Sequence, residues 1–226
     1  MITNYGIDNF LWIVAIGILS IIVALFFKSN LWILIPLFIL GLFLTFIAIW
    51  FFRDPYREIP KEALNNSRII LSPADGTITE IVHDNEPNFL KSTSIRISIF
   101  LSPLDVHVNR VPTNGIIKYF DFIKGKKLVA SKAQASSENQ QTLFGLENEH
   151  GKILFKQIVG ILARRLVWDI KPGDRVIAGQ KFGMMKFGSR MDVHLPIDSK
   201  ILVKTGDKVT AGITYLAKLE SNKNED

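Results

Sequence analysis

Three short segments hold polar side chains that plain strands do not need. The first is Ser72-Pro73-Ala74-Asp75-Gly76, which by composition is a Pro-Asp-Gly turn. The second runs from Ser102-Pro103-Leu104-Asp105 through Val106-His107-Val108-Asn109-Arg110 to Val111-Pro112. It alternates, so Asp105, His107 and Asn109 are expected on one strand face. An imidazole titrates near neutral pH and can move a proton there, which suits a site better than a core. The bland alternative is an exposed strand face. The third segment is Phe187-Gly188-Ser189-Arg190. Alone, its Gly-Ser pair is the composition of a turn.

Several other chemistries drop out on residue types. The chain has no cysteine, so it has no thiol nucleophile, disulfide framework or cysteine-based zinc site. Its four histidines, His83, His107, His150 and His194, show no metal-ligand spacing, and no metal site is expected. The net charge is +6, which fits nucleic acid, anionic lipid or an acidic substrate. The basic clusters Lys124, Lys126, Lys127 and Arg164-Arg165 are not interleaved with a stacking platform of aromatics. Apart from a solvated face, the reading favoured for them is contact with anionic headgroups, not nucleic acid.

The elements that must carry these residues fall into two regions. Hydrophobic residues make up 48% of the chain. Phe10 to Phe27 and Leu31 to Phe52 are uncharged apolar runs separated by Lys28-Ser29-Asn30. A helix of about 20 apolar residues crosses roughly 30 Å of hydrocarbon. The first run lacks the basic start and cleavage site of a signal peptide. The expectation is a membrane-associated helical hairpin over residues 1–58, either crossing the bilayer or dipping into it, since the first run is short and the turn tight. Arg53, Arg57 and Lys61 beyond its exit outweigh Lys28 in its turn, which puts the rest of the chain on the cytoplasmic face of the cell membrane.

Residues 59–226 read as mainly β. Arg68–Leu71, Thr77–Val82, Ser94–Leu101, Gly115–Phe122, Ile153–Ile161 and Lys200–Lys204 have strand composition, and Ala163–Trp168 fits either a helix or a strand. A pattern Gly-Asp-x-Val-x-Ala-Gly occurs twice, at Gly173–Gly179 and Gly206–Gly212. Two copies suggest a compact β-sandwich or barrel with pseudo-symmetric halves, not a solenoid. The pattern resembles the turn units of biotinyl and lipoyl carrier domains. A carrier would use Lys186 in Met184-Met185-Lys186-Phe187. However, the stretch from Asp174 to Lys186 is short for that fold, and a carrier explains neither the apolar runs nor the His107 strand. A serine hydrolase built on Ser189 would lack the Gly-x-Ser-x-Gly elbow. A plain membrane anchor leaves the polar segments without a purpose.

Taken in order, Phe52-Arg53-Asp54-Pro55, Ser72 to Gly76, Ile97 to Pro112, Gln157 to Arg165 and Phe187 to Arg190 resemble the phosphatidylserine decarboxylases in their short, membrane-associated form. That resemblance implies a proenzyme. Ser189 Oγ attacks the Gly188 carbonyl, the peptide becomes an ester, and β-elimination leaves a dehydroalanine. Hydrolysis with loss of ammonia turns this into a pyruvoyl group. The products are a large chain, 1–188, and a small chain, 189–226, that stay together as a heterodimer. The pyruvoyl cofactor then forms a Schiff base with the amine of a membrane phospholipid and accepts electrons as carbon dioxide leaves. The resemblance casts His107 as proton donor and Asp75 as a group that orients a base or helps activate Ser189. Arg110 and Asn109 become candidates for binding substrate. The longer bacterial form has a second histidine three residues after the first, where Arg110 stands here. Arg cannot act as a base at neutral pH, so either His107 serves both steps or His194 contributes.

Overall fold

The computed structural model describes residues 1–126, 138–160, 165–186 and 189–220. Contacts divide the chain into two units, Met1–Tyr56 and Arg57–Asp226.

The first unit is a helical hairpin. Its two helices, α1 (Ile7–Phe26) and α2 (Leu31–Phe51), are long and apolar enough to cross a bilayer, with mean hydropathies of 2.5 and 2.7. Asn30 caps α2 by accepting from Trp32 N at 3.2 Å. The helices meet through small residues, since a Cβ on Gly41 would lie 2.5 Å from the Gly17 carbonyl oxygen. That close backbone approach is the usual packing device where water supplies no drive. At the open end Thr3 N donates to Phe52 O at 2.9 Å and Asp54 N to Met1 O at 2.7 Å, so the chain start pairs with the exit from α2.

The second unit is mainly β. After a short helix, α3 (Lys61–Asn65), come β1 (Ile69–Leu71), β2 (Gly76–Glu86), β3 (Ser92–Leu101), β4 (Val108–Arg110) and β5 (Gly115–Ile123). Then follow β6 (Gln141–Asn148), β7 (Gly151–Val159), β8 (Arg165–Trp168), β9 (Arg175–Val176) and β10 (Lys181–Lys186). The last are β11 (Ser189–Pro196), β12 (Lys200–Ile201), β13 (Lys208–Val209) and β14 (Tyr215–Lys218). A curled sheet of eight runs β13-β2-β3-β11-β7-β6-β5-β9, and two three-stranded sheets run β4-β10-β8 and β1-β14-β12.

Strand alternation sorts the central strands into an apolar and a polar face. On β11, Met191, Val193 and Leu195 join Ile97 and Ile99 of β3 and Phe155 of β7 in the core. Phe144, Phe155 and Phe182 fill it with ring centroids 5.2 to 5.4 Å apart. The other face of β11 carries Arg190, Asp192 and His194.

The two Gly-Asp-x-Val-x-Ala-Gly copies are equivalent in detail. Asp174 and Asp207 each accept from the lysine backbone N–H three residues earlier, at 2.9 Å. Gly179 and Gly212 have φ of 76° and 73°, which an L side chain resists. Ala178 N donates to Asn114 Oδ1 and Ala211 N to Asp75 Oδ1, both at 2.8 Å. The Pro-x-Asx-Gly turns at 73–76 and 112–115 are therefore pseudo-symmetric mates.

Secondary structure departs from expectation in a few places. The undecided stretch before Trp168 is a strand from Arg165, with residues 163–164 outside the described set. The expected strand at 200–204 stops at Ile201. The sequence reading passed over β6, β10, β11 and β14.

Candidate active site

Ser189 is the first residue of β11. It lies between Leu101 at the end of β3 and Val159 at the end of β7. By parity it faces the core side with Met191. It is fully buried, and among the described residues nothing bonds its Oγ. A buried hydroxyl left unpaired costs about 1–3 kcal/mol, so an unpaired one calls for a reason. Gly188 and Phe187 lie outside the described residues.

The segment after β3 carries His107, but not as a continuous strand. Asp105 sits in a turn, where its Oδ2 accepts from Ser102 N at 2.8 Å. It therefore does not share a strand face with His107 and Asn109, as alternation suggested; β4 begins only at Val108, because the aspartate closes the turn instead. The Asp105 carbonyl lies 2.9 Å from His107 Nδ1. A carbonyl can only accept, so Nδ1 carries the proton and the neutral ring keeps its lone pair on Nε2. Met185 N donates to His107 O at 3.3 Å, tying the buried histidine to β10, which ends one residue later at Lys186.

Asn109 is buried and accepts from Gln157 Nε2 at 2.9 Å, while Gln157 Oε1 accepts from Thr142 Oγ1 at 2.8 Å. Asn109 Nδ2 has no acceptor among the described residues. Arg110 Nη1 donates to the Gly179 carbonyl at 2.8 Å, so the guanidinium braces one of the repeated turns.

Asp75 leads into β2, whose Thr77 pairs with Phe100, one residue from the partner of Ser189. Its carboxylate is gripped by Arg57 at 2.6 and 2.7 Å and accepts from Ala211 N. The turn is thus brought to the Ser189 end of the sheet, but the bonds of the carboxylate go to Arg57 and Ala211 rather than to His107. A bidentate guanidinium is the strongest partner on offer.

His194 cannot take the place of the missing second histidine. It lies five residues along β11 from Ser189, roughly 17 Å at about 3.4 Å per residue, on the opposite face. There it bonds Ser94 Oγ at 3.0 Å. Burial, and then the nearby Lys156 charge, push its pKa down to about 4. On the same face Arg190 donates to Asp192 at 2.7 Å and Glu80 at 2.9 Å, and Arg96 donates to Glu80 and Asp84 at 2.7 Å. Of the basic clusters, Lys124 and Lys126 are exposed, with Lys126 paired to Glu138 at 2.8 Å; Lys127 and Arg164 lie outside the described residues.

Sequence reasoning gave no role to Thr142, to Gln157 or to the Arg190–Asp192–Glu80 network, although Gln157 and Arg190 stand in segments that carry the family resemblance. The alternation Arg190-x-Asp192-x-His194 opposite Ser94-x-Arg96-x-Ser98 was a signal for the network. No local signal marks Thr142, because its partner is distant in sequence.

The family model of phosphatidylserine decarboxylase matches residues 44–217. A phosphatidylserine decarboxylase proenzyme of Salinibacter ruber is 46% identical over 173 residues, 76% of this chain and 75% of the relative. One of Carboxydothermus hydrogenoformans is 40% identical over 214 residues, 94% of this chain and 95% of the relative. One of Pelodictyon phaeoclathratiforme is 39% identical over 219 residues, 96% of this chain and all of the relative. With this coverage around the buried Ser189, the chain belongs to the phosphatidylserine decarboxylase family.

Proposed function

We propose that this chain converts phosphatidylserine to phosphatidylethanolamine with a pyruvoyl group made from its own Ser189. The observation that carries the reading is the buried Ser189 Oγ, without a partner among the described residues at the head of the central strand, in a chain of this family. A hydroxyl held away from competing partners is free to attack the carbonyl that precedes it. In that attack Oγ gives up its proton, the Oγ–C bond forms, and the 188–189 C–N bond breaks to an ester and an amine. Loss of the Ser189 Cα proton then expels the Gly188 carboxylate, and water replaces the nitrogen, which leaves as ammonia.

The residues fit the group. When present, a pyruvoyl carbonyl supplies the electron sink for loss of carbon dioxide from the substrate. His107, with Nδ1–H fixed on the Asp105 carbonyl, offers Nε2 for proton transfer and serves as acid and base. Asp75 supports the site, holding the turn beside Ser189 through Arg57 and Ala211. Arg110 is a brace for the Gly179 turn, and Asn109 is left as the polar contact for reacting oxygen atoms. β11 lies between β3 and β7, so after the cut the small chain keeps strand partners on both sides and the two chains stay together. The apolar hairpin anchors the enzyme at the cell membrane with its β unit on the cytoplasmic face.

A carrier is disfavoured because Lys186, which it would modify, is only 5% exposed. A serine hydrolase is disfavoured because Ser189 opens a strand rather than sitting on a strand-to-helix elbow.

Intact mass and a denaturing gel of the purified protein test the reading. Two chains are expected, the smaller beginning at position 189 with a blocked terminus. Ser189→Ala should leave one chain of full length. A variant still cut there, or a single wild-type chain carrying added mass at Lys186, defeats the proposal.

A further inference from the structure

The buried chain Thr142–Gln157–Asn109 has a direction, and its free end is a donor. Gln157 Nε2 faces the Val167 carbonyl at 3.4 Å, and a carbonyl can only accept. This fixes which end of the Gln157 amide is nitrogen. The nitrogen also meets Asn109 at 2.9 Å, so Asn109 must present Oδ1 to it and turn Nδ2 away. Thr142 Oγ1 at 2.8 Å holds the oxygen end of Gln157. All three side chains are buried, and Asn109 Nδ2 has no acceptor among the described residues. Space for the chain comes from Gly183 of β10, whose Cβ would collide with the Val167 oxygen and lie 3.1 Å from Gln157 Nε2.

This donor belongs to the layer that holds Ser189. Gln157 pairs with Met191 and Val159 with Ser189, so Gln157 and the residue opposite Ser189 are two positions apart on one face of β7. That is roughly 7 Å at about 3.4 Å per residue. Asn109, touching Gln157, fills the same layer. Two buried polar groups there, the Ser189 hydroxyl and the Asn109 N–H, lack partners among the described residues. One is a nucleophile; the other is suited to an oxygen that gains negative charge.

We infer that Gln157 is a positioning residue that turns Asn109 Nδ2 toward the reacting centre, where it donates to the oxyanion formed as Ser189 Oγ attacks the preceding carbonyl. The inference rests on the self-cleavage reading above. A fixed donor for such an oxyanion is commonly the largest single contribution to acyl transfer. Thr142 acts one step further back, by holding the Gln157 oxygen.

The test is the rate of self-cleavage of the full-length chain, pulse-labelled in membranes and followed on a gel. In Gln157→Glu, assayed at a pH that ionises the new carboxyl, the side chain can only accept, so Asn109 must turn Nδ2 toward it and offer Oδ1 to the centre. Cleavage should slow about 10²-fold, as should cleavage of Asn109→Ala. The double variant should be no slower than Asn109→Ala alone, because Gln157 acts through Asn109. Losses that multiply, or wild-type cleavage in Gln157→Glu, overturn the inference. If thermal melting finds Gln157→Glu unfolded, Thr142→Val replaces it, with an expected loss of about 10-fold that vanishes in the Asn109→Ala background. Cleavage persisting in Ser189→Ala would instead defeat the self-cleavage reading and leave the orientation of Asn109 standing.

Discussion

The His107 ring is held through Nδ1. With Nδ1–H on the Asp105 carbonyl at 2.9 Å, the neutral tautomer has its lone pair on Nε2, so the local backbone selects the basic nitrogen. His107→Ala is expected to lower kcat for carbon dioxide release from phosphatidylserine by about 10²-fold or more, measured per mole of cleaved chain. Normal turnover there would remove His107 from the site. Asp75 is separable from its turn because its pseudo-symmetric mate is an asparagine. Asn114 bonds Ala178 N as Asp75 bonds Ala211 N, so Asp75→Asn can keep the turn while losing the charge that pairs with Arg57. The variant is expected to stay folded by thermal melting and to cleave itself about 10-fold more slowly or worse. Wild-type cleavage would reduce Asp75 to a turn residue.

At the scale of the strand, β11 holds the serine on one face and a buried polar network on the other. His194 takes part in that network as a neutral ring, its pKa pushed from 6.5 to about 4 by burial and by Lys156. The folded state therefore declines a proton that the unfolded chain accepts. Stability from this group is complete above pH 6.5 and is lost as pH falls toward 4, on the order of 3 kcal/mol in all. His194→Asn can still donate to Ser94 but does not titrate, so its melting temperature should fall less than that of wild type between pH 6.5 and 4. Equal acid sensitivity would refute the assignment. The apolar runs, the repeat and the alternating strands β2, β3 and β5 were legible in the sequence because each is a local pattern. β6 and β10 were not, since burial on both faces removes alternation; β11 alternates, and its pattern was passed over all the same. The site divided in the same way. Asp75 stood out through turn chemistry, His107 through the alternation of its segment, and Gly188–Ser189 through family resemblance. Thr142 and Gln157 were silent because their hydrogen bonds form only when β4, β6 and β7 meet. Arg57, the partner of Asp75, read in sequence only as a charge near the membrane exit.

At the scale of the whole chain, the proposed function joins an apolar hairpin to a polar β unit, and the chemistry of the proposed substrate gives a reason for both. A phospholipid offers its headgroup at the membrane surface, so an enzyme acting on it must be held there. α1 and α2 are each long enough for one crossing, and two crossings return the chain to the side where it began. The pairing of Thr3 with Phe52 and of Met1 with Asp54 ties start to exit at the same end of the hairpin. Arg53 lies over the Trp50 ring at 4.2 Å, an aromatic and cationic pair suited to the water interface. Arg53, Arg57 and Lys61 follow that exit, while Lys28 alone marks the turn, and on this charge bias the proposed topology has the open end in the cytoplasm. A tag placed before Met1 and the β unit should accordingly share one side. In inside-out vesicles protease should remove both, and in right-side-out vesicles it should reach neither. A tag protected where the β unit is digested would mean a single crossing, and digestion of both only from outside would reverse the orientation.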